Sequence, residues 1–479
     1  MSYDDLSREF LERVEEYRSL GVNPLTLATG CAVKIDLVSV LYPALRRIKE
    51  PLEIEGLSIL PRRDADIFKG SVEGLRVHRE IYRSEEEVDQ ERLIRFSPER
   101  AVVLVQIYQR NAGDPELVSR IVGGVYEKIA RSVGRIVIGK GHSIVSADPK
   151  AQFMLFDFVR VEGDRDRLVL GNNDTIQIID PAESPGSLRQ TAVALGNSLN
   201  DLYILGAWRN TTIIPVADAP SEKLKNIIED NMRSLAESIG ARILRASQPS
   251  SGALLMGATV FAETDRTPPM FYDRISPGMI ILASRPFGEL APINVYLMAM
   301  YDRDIAEELR RSYGITIEKI LEIKRYVIDL MSRPNIHIAR IIEGKLPQIG
   351  EEFDPSRHIA ATTDVTGPGV YVIKELAELS GASIRLERIP LISPELSEFA
   401  TRSYIMPNAT AGTNGAVIFV ASERVIEEIE EELRGYGENP VRIGRIISRE
   451  GPRVLAPSNL RRFIASKTYL REFEYYEVS

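Results

Sequence analysis

The chain has 479 residues, 44 % of them hydrophobic and 27 % charged, with a formal net charge of −9 and a single cysteine. That is the make-up of a globular protein of two to four domains; no run approaches the roughly 18 apolar residues of a membrane span, and the acidic balance argues against a general nucleic-acid binder. One cysteine makes no internal disulfide, which points to the reducing cytoplasm.

The N-terminus, MSYDDLSREFLERVEEY, spaces Leu6, Phe10 and Val14 four apart. It predicts an amphipathic helix over residues 1–20 that stops at Gly21, and it lacks the basic start and apolar core of a signal peptide. A polar loop follows, LTLATGCAVKID (25–36), and holds the lone Cys31 with Lys34 three places on. A nearby ammonium favours the thiolate, which is the nucleophilic form. The alternative for Cys31 is the common fate of a free cysteine, a small buried hydrophobe.

Residues 37–145 have a weak pattern, with a strand at 101–108 and a helix at 114–134 between Asp114-Pro115 and Gly134. The segment GRIVIGKG (134–141) imitates a phosphate loop, but Gly141 replaces the Ser or Thr and RIVI is strand-like, so it is set aside. From about 146 the texture becomes strand (153–161, 166–171), helix (187–207), strand (212–217), helix (221–239) and strand (253–261). The turn-rich DRTPPMFYDRISPG (265–278) marks a domain boundary. The second half repeats the mixed grammar: a strand at 279–286, helices at 302–313 and 316–332, a helix opening at 369–381, and strand, helix, strand at 415–421, 422–437 and 440–447. Two successive α+β units are expected.

Four stretches can carry chemistry. In ATTDVTGPGVYVIKEL (361–376), Asp364 ends a strand-prone run, and Gly367 and Gly369 lead into a helix. Such a turn can aim backbone N–H groups at an anion while the carboxylate holds Mg²⁺; an ordinary capped turn is the alternative. In GNSLNDLYILGA (196–207), Asn197 and Asp201 share a helix face, with Leu195, Leu199, Leu202 and Leu205 supplying the apolar side. A carboxylate buried there needs a partner; a solvent-facing polar stripe is the alternative. Asp148 and Asp174 each lie beside a strand, where turn chemistry alone can explain them.

Taken in order, Gly30-Cys31-Ala32-Val33-Lys34, Asp148, Asn173-Asp174, NSLNDLYILG, TTDVTGPG and NATAGTNGAVIF (408–419) resemble the selenophosphate synthetases (selenide, water dikinases), in the superfamily that includes aminoimidazole ribonucleotide synthetase. The resemblance covers about residues 22–36 and 146–450. It implies an α+β, two-domain aminoimidazole ribonucleotide synthetase-like fold whose N-terminal half contributes strands to a barrel closed by a homodimer, with an inserted segment near the N-terminus. The corresponding division is a helix and mobile Cys/Lys loop (1–36), an insertion (37–145), an ATP-binding domain (146–265), a second domain (270–450) and a C-terminal appendage (451–479). Implied ligands are ATP and Mg²⁺, with K⁺ as a candidate further ion. Asp148, Asp201 and Asp364 would be the metal-binding carboxylates; Asp174 and Asn197, with Gly367 of the glycine turn, would line the nucleotide. Cys31 and Lys34 would be catalytic, acting on selenide and the γ-phosphate. Three departures stand against the pattern: Val33 where many members have a second Cys, Pro368 for a Phe, and ASQPSSG (246–252) in place of a GGHS segment. A paralogue using sulfide or another small nucleophile, and a non-catalytic nucleotide-binding protein, are the rival readings.

Overall fold

The computed structural model describes residues 2–22 and 24, short strands at 136–138, 144–146 and 156–160, and residues 167–245, 252, 254–403, 405–406, 408–464 and 473–477. Cys31, Lys34, Asp148, the strand expected at 101–108 and the helix expected at 114–134 lie outside the described residues.

Helix α1 (Tyr3–Ser19) starts at a capping box in which the Ser2 hydroxyl accepts from the Asp5 N–H and the Asp5 carboxylate accepts from the Ser2 N–H, both at 3.2 Å. Its stripe of Leu6, Phe10, Val14 and Tyr17 is buried. It packs on α4 (Leu290–Tyr301), where the Tyr3 hydroxyl donates to Ala299 O at 2.7 Å and the rings of Phe10 and Tyr301 meet edge-on.

The first sheet contains β1 (Ile136–Ile138), β2 (Ile144–Ser146), β3 (Phe156–Arg160), β4 (Leu168–Ile176), β5 (Arg209–Asp218), β6 (Arg242–Ile243) and β7 (Leu255–Thr264), in the order β1-β2-β3-β4-β7-β5-β6. A strand thus runs through the middle of GRIVIGKG, where a phosphate loop would need irregular backbone. Helices α2 (Leu188–Tyr203) and α3 (Glu222–Ser238) cover one face. The antiparallel β4–β7 register sets Leu170, Asn172 and Asp174 opposite Ala262, Val260 and Ala258, and period-two alternation puts all six on one face. There Leu195, Leu199 and Leu202 of α2 join Leu170, Ala258, Val260 and Ala262 in one apolar core.

The stretch 265–278 runs from the last strand of this sheet to the first of the second sheet. The second sheet holds β8 (Ile280–Ala283), β9 (Ala361–Asp364), β10 (Ser383–Leu386), β11 (Val417–Ala421), β12 (Val441–Ser448), β13 (Arg453–Pro457) and β14 (Glu474–Tyr476), ordered β14-β13-β10-β12-β8-β11-β9. Both β13 and β14, from the segment set apart as an appendage, pair into it. Between β8 and β9 the chain makes α4, α5 (Arg303–Tyr313), α6 (Ile317–Met331) and α7 (Ile336–Gly344). Helices α8 (Val372–Ser380), α9 (Pro394–Arg402) and α10 (Glu423–Gly435) complete the second unit. The two faces of β11 enter different cores: Ile418 and Val420 one, Val417, Phe419 and Ala421 the one shared with α2. This shared core brings the end of β9 against α2.

Candidate active site

The site is built where β4, α2 and β9 meet. Asp174 and Asn172 project from β4 toward α2 because they occupy alternate positions on its covered face. The Asn197 Nδ2 donates to Asp174 Oδ2 at 2.5 Å, and one turn along α2 the Asp201 Oδ2 accepts from Asn172 Nδ2 at 2.8 Å. Asn172 also donates to Ser198 O, while the Ser198 hydroxyl donates to Asp174 O at 2.9 Å and accepts from the Ala258 N–H. Helix and sheet are therefore registered by side-chain hydrogen bonds as well as by leucine packing.

Asp364 comes from the other sheet. As the last residue of β9 it pairs with Val417 on the side facing α2, and its Oδ2 accepts from Asn200 Nδ2 at 3.0 Å. Asn200 is fully buried, and its Oδ1 accepts from Asn335 at 2.8 Å. Asn335 reaches Asn414, whose backbone N–H donates to Asn197 Oδ1 at 3.3 Å. Asp174, Asn197, Asn200 and Asp364 thus belong to one chain of amides and carboxylates that links β4 to β9 across α2, and Asp201, held by Asn172, adjoins it at Ser198, whose hydroxyl donates to Asp174 O. A buried polar chain of this kind is tolerable only because its members satisfy one another.

Two backbone donors of the glycine turn are taken up by the facing loop. Gly367, in the left-handed region at φ 71°, donates its N–H to Gly412 O at 2.9 Å, and the Val370 N–H donates to the Thr410 hydroxyl at 3.0 Å. Asn408 Nδ2 donates to Pro368 O at 2.8 Å, and the Thr366 hydroxyl accepts from the Gly415 N–H. These bonds clasp loop 364–371 to loop 408–415, so the turn's donors fix Asp364 in place.

Asp174, Asn197, Asp201 and Asp364 all lie around α2; Cys31, Lys34 and Asp148 lie outside the described residues. Asn172, Asn200, Asn335 and Asn414 escaped sequence reasoning. Asn200 had a signal, since it sits one residue before Asp201 on a helix with buried leucines on both sides. Among the described residues no group of three or more His, Cys, Asp or Glu is assembled to hold a metal. Mg²⁺ takes one or two carboxylates and completes its octahedron with water and phosphate oxygens, a role that the hard oxygens of Asp201 and Asp364 fit.

No protein-family model matches the chain. It is similar to a probable selenide, water dikinase of Caenorhabditis elegans, 23 % identical over an alignment of 266 residues that covers 52 % of this chain and 66 % of that protein. This is the family to which the ordered motifs point. Among solved structures it is similar to the thiamine-monophosphate kinase of Stenotrophomonas maltophilia (16 % identity, 67 % of this chain and 90 % of that one, TM-score 0.41). It is also similar to the hydrogenase maturation protein HypE of E. coli (18 % identity, 60 % and 81 %, TM-score 0.39). Among the described residues no helix is long and apolar enough to cross a membrane.

Proposed function

We propose that the chain is an ATP- and Mg²⁺-dependent phosphotransferase of the selenophosphate synthetase type, converting ATP, selenide and water to selenophosphate, AMP and phosphate. The observation that supports this reading best is the convergence of Asp174 from β4, Asn197 and Asp201 from α2 and Asp364 from β9 around one cluster of buried asparagines. In this reading Asp201 and Asp364 hold Mg²⁺ together with Asp148, and Asp174 and Asn197 line the nucleotide. Bound Mg²⁺ would offset the negative charge of the polyphosphate. Asn172 and Asn200 hold the two metal-binding carboxylates in fixed directions before the cation arrives, which lowers the reorganisation required on binding. Cys31 and Lys34 take their role from the sequence resemblance: the lysine stabilises charge on the transferred phosphoryl group, and the thiolate positions the chalcogen. A working thiolate fits a reducing cytoplasm.

A homodimer is part of the proposal. The face of the first sheet opposite α2 and α3 carries Val169, Phe261, Ile214 and Val216, all only half-buried, and a strip of this kind suits a second copy. Light scattering at micromolar protein gives the dimer mass if so, and the monomer mass if not.

Incubating the protein with ATP, Mg²⁺ and either selenide or sulfide, and following phosphorus products by NMR, tests the chemistry. Selenophosphate with AMP supports the reading. Thiophosphate formed from sulfide instead supports the paralogue, and nucleotide binding without turnover supports the non-catalytic alternative. Lys34→Ala lowers turnover by about 100-fold, as loss of a transition-state charge partner does.

A further inference from the structure

We propose that Asn414 is the positioning residue that sets the two halves of the site against each other; the inference rests on the reading of that site as a nucleotide site. Asn414 stands at φ 45°, a left-handed backbone that Asn tolerates better than most residues. It is almost wholly buried and contacts four separate places in the chain. Its N–H donates to Asn197 Oδ1 on α2 at 3.3 Å, and its Oδ1 accepts from Asn335, just before α7, also at 3.3 Å. Its Nδ2 donates to Met331 O at 2.6 Å and Arg333 O at 3.0 Å, occupying a carbonyl at the end of α6 that the helix cannot satisfy itself and one just past it. Its own carbonyl accepts from Arg285 Nη2 at 3.0 Å, and Arg285 is in turn paired with the fully buried Glu289.

The approach to α2 depends on a missing side chain. A methyl group on Gly196 would lie 2.7 Å from Asn414 Nδ2, so glycine at that helical position makes room for the contact. Asn197 carries the Asp174 end of the site, and Asn335 leads through Asn200 to Asp364. One residue therefore holds both ends.

The test uses the full chain with Asn414→Gly, Gly196→Ala and the double variant. In Asn414→Gly the left-handed backbone and the N–H that meets Asn197 are kept, but the side chain that anchors that N–H to Met331 O, Arg333 O and Asn335 is lost. Hydrogen exchange without nucleotide should then speed up in both 196–203 and 361–367, and Mg–ATP should bind at least about tenfold more weakly. Gly196→Ala alone should reproduce that loss, because its methyl displaces Asn414. The double variant should be no worse than Asn414→Gly, since the methyl then enters vacated space. Exchange altered only within 408–415, or a silent Gly196→Ala, overturns the proposal. If the unmodified protein binds no Mg–ATP, the nucleotide reading fails while the exchange result still decides the role of Asn414. Should Asn414→Gly not fold, Asn414→Asp keeps the left-handed backbone but turns the donor to Met331 O and Arg333 O into an acceptor, releasing the anchor at α6, and the same two exchange regions give the answer.

Discussion

Asn200 and Asp364 are 164 positions apart, and the amide of one meets the carboxylate of the other at 3.0 Å inside the protein, tying the helix of the first unit to the last residue of a strand in the second. A carboxylate at such a depth is costly unless hydrogen-bonded. Asn200→Ala removes the donor and also the acceptor used by Asn335. The expected loss is about 2 kcal/mol, the range for hydrogen bonds to charged groups. Urea unfolding measures it, and a change within experimental error would make the contact incidental.

The buried pair of Lys324 and Asp180 predicts a non-additive response. Both side chains are nearly inaccessible, the ammonium also lies 4.8 Å from the centre of the Tyr296 ring, and the Asp180 Oδ1 accepts from the Ala182 N–H. Lys324→Met strands a carboxylate in the core and should cost about 3–5 kcal/mol, whereas adding Asp180→Asn should restore much of it. Equal losses from the single and double variants would show that the pair acts through packing alone.

Tyr17 docks α1 onto the segment that joins β4 to α2. Its hydroxyl donates to Glu183 O and accepts from Gln190 Nε2, both at 2.8 Å. Burial holds the phenol above its ordinary range, so it remains a neutral donor. Tyr17→Phe should cost about 1 kcal/mol. Amide exchange in 3–19 should quicken while α2 stays protected; uniform protection of α1 would contradict this.

The loop before β9 gives a pH prediction. His358 Nδ1 accepts from the Asp354 N–H at 3.0 Å, and burial, outweighing Glu351, pulls the imidazole below its ordinary value. In the folded state the ring therefore resists a proton that the unfolded chain takes up near pH 6.5. Its contribution is complete above that pH and declines as pH falls toward the lower folded value. His358→Asn keeps an acceptor for Asp354, so thermal melts between pH 7 and 5 should show a shallower acid decline. An unchanged slope would remove His358 from the account.

Much of this architecture was legible because period and caps announced it. The α1 stripe, the strand running into 168–176, and the helices near 222–238, 303–313 and 317–331 follow from amphipathic spacing with clear ends. Helix α4 was not legible, since LAPINVYLMAMY is apolar on every side and a helix buried all round shows no period. The short β13 and β14 depend on the edge of an existing sheet, which local sequence does not contain. The acidic residues of the site stood out through their contexts. The asparagines that orient them did not, because Asn335 and Asn414 acquire meaning only when distant segments meet.

The most direct measurement of the central claim is calorimetric titration of Mg–ATP into the unmodified chain and into Asp201→Asn and Asp364→Asn. If these carboxylates hold the nucleotide's cation, each substitution weakens binding at least about tenfold, or 1.4 kcal/mol, while cooperative unfolding without nucleotide is retained. Unchanged affinity in both variants would contradict the assignment.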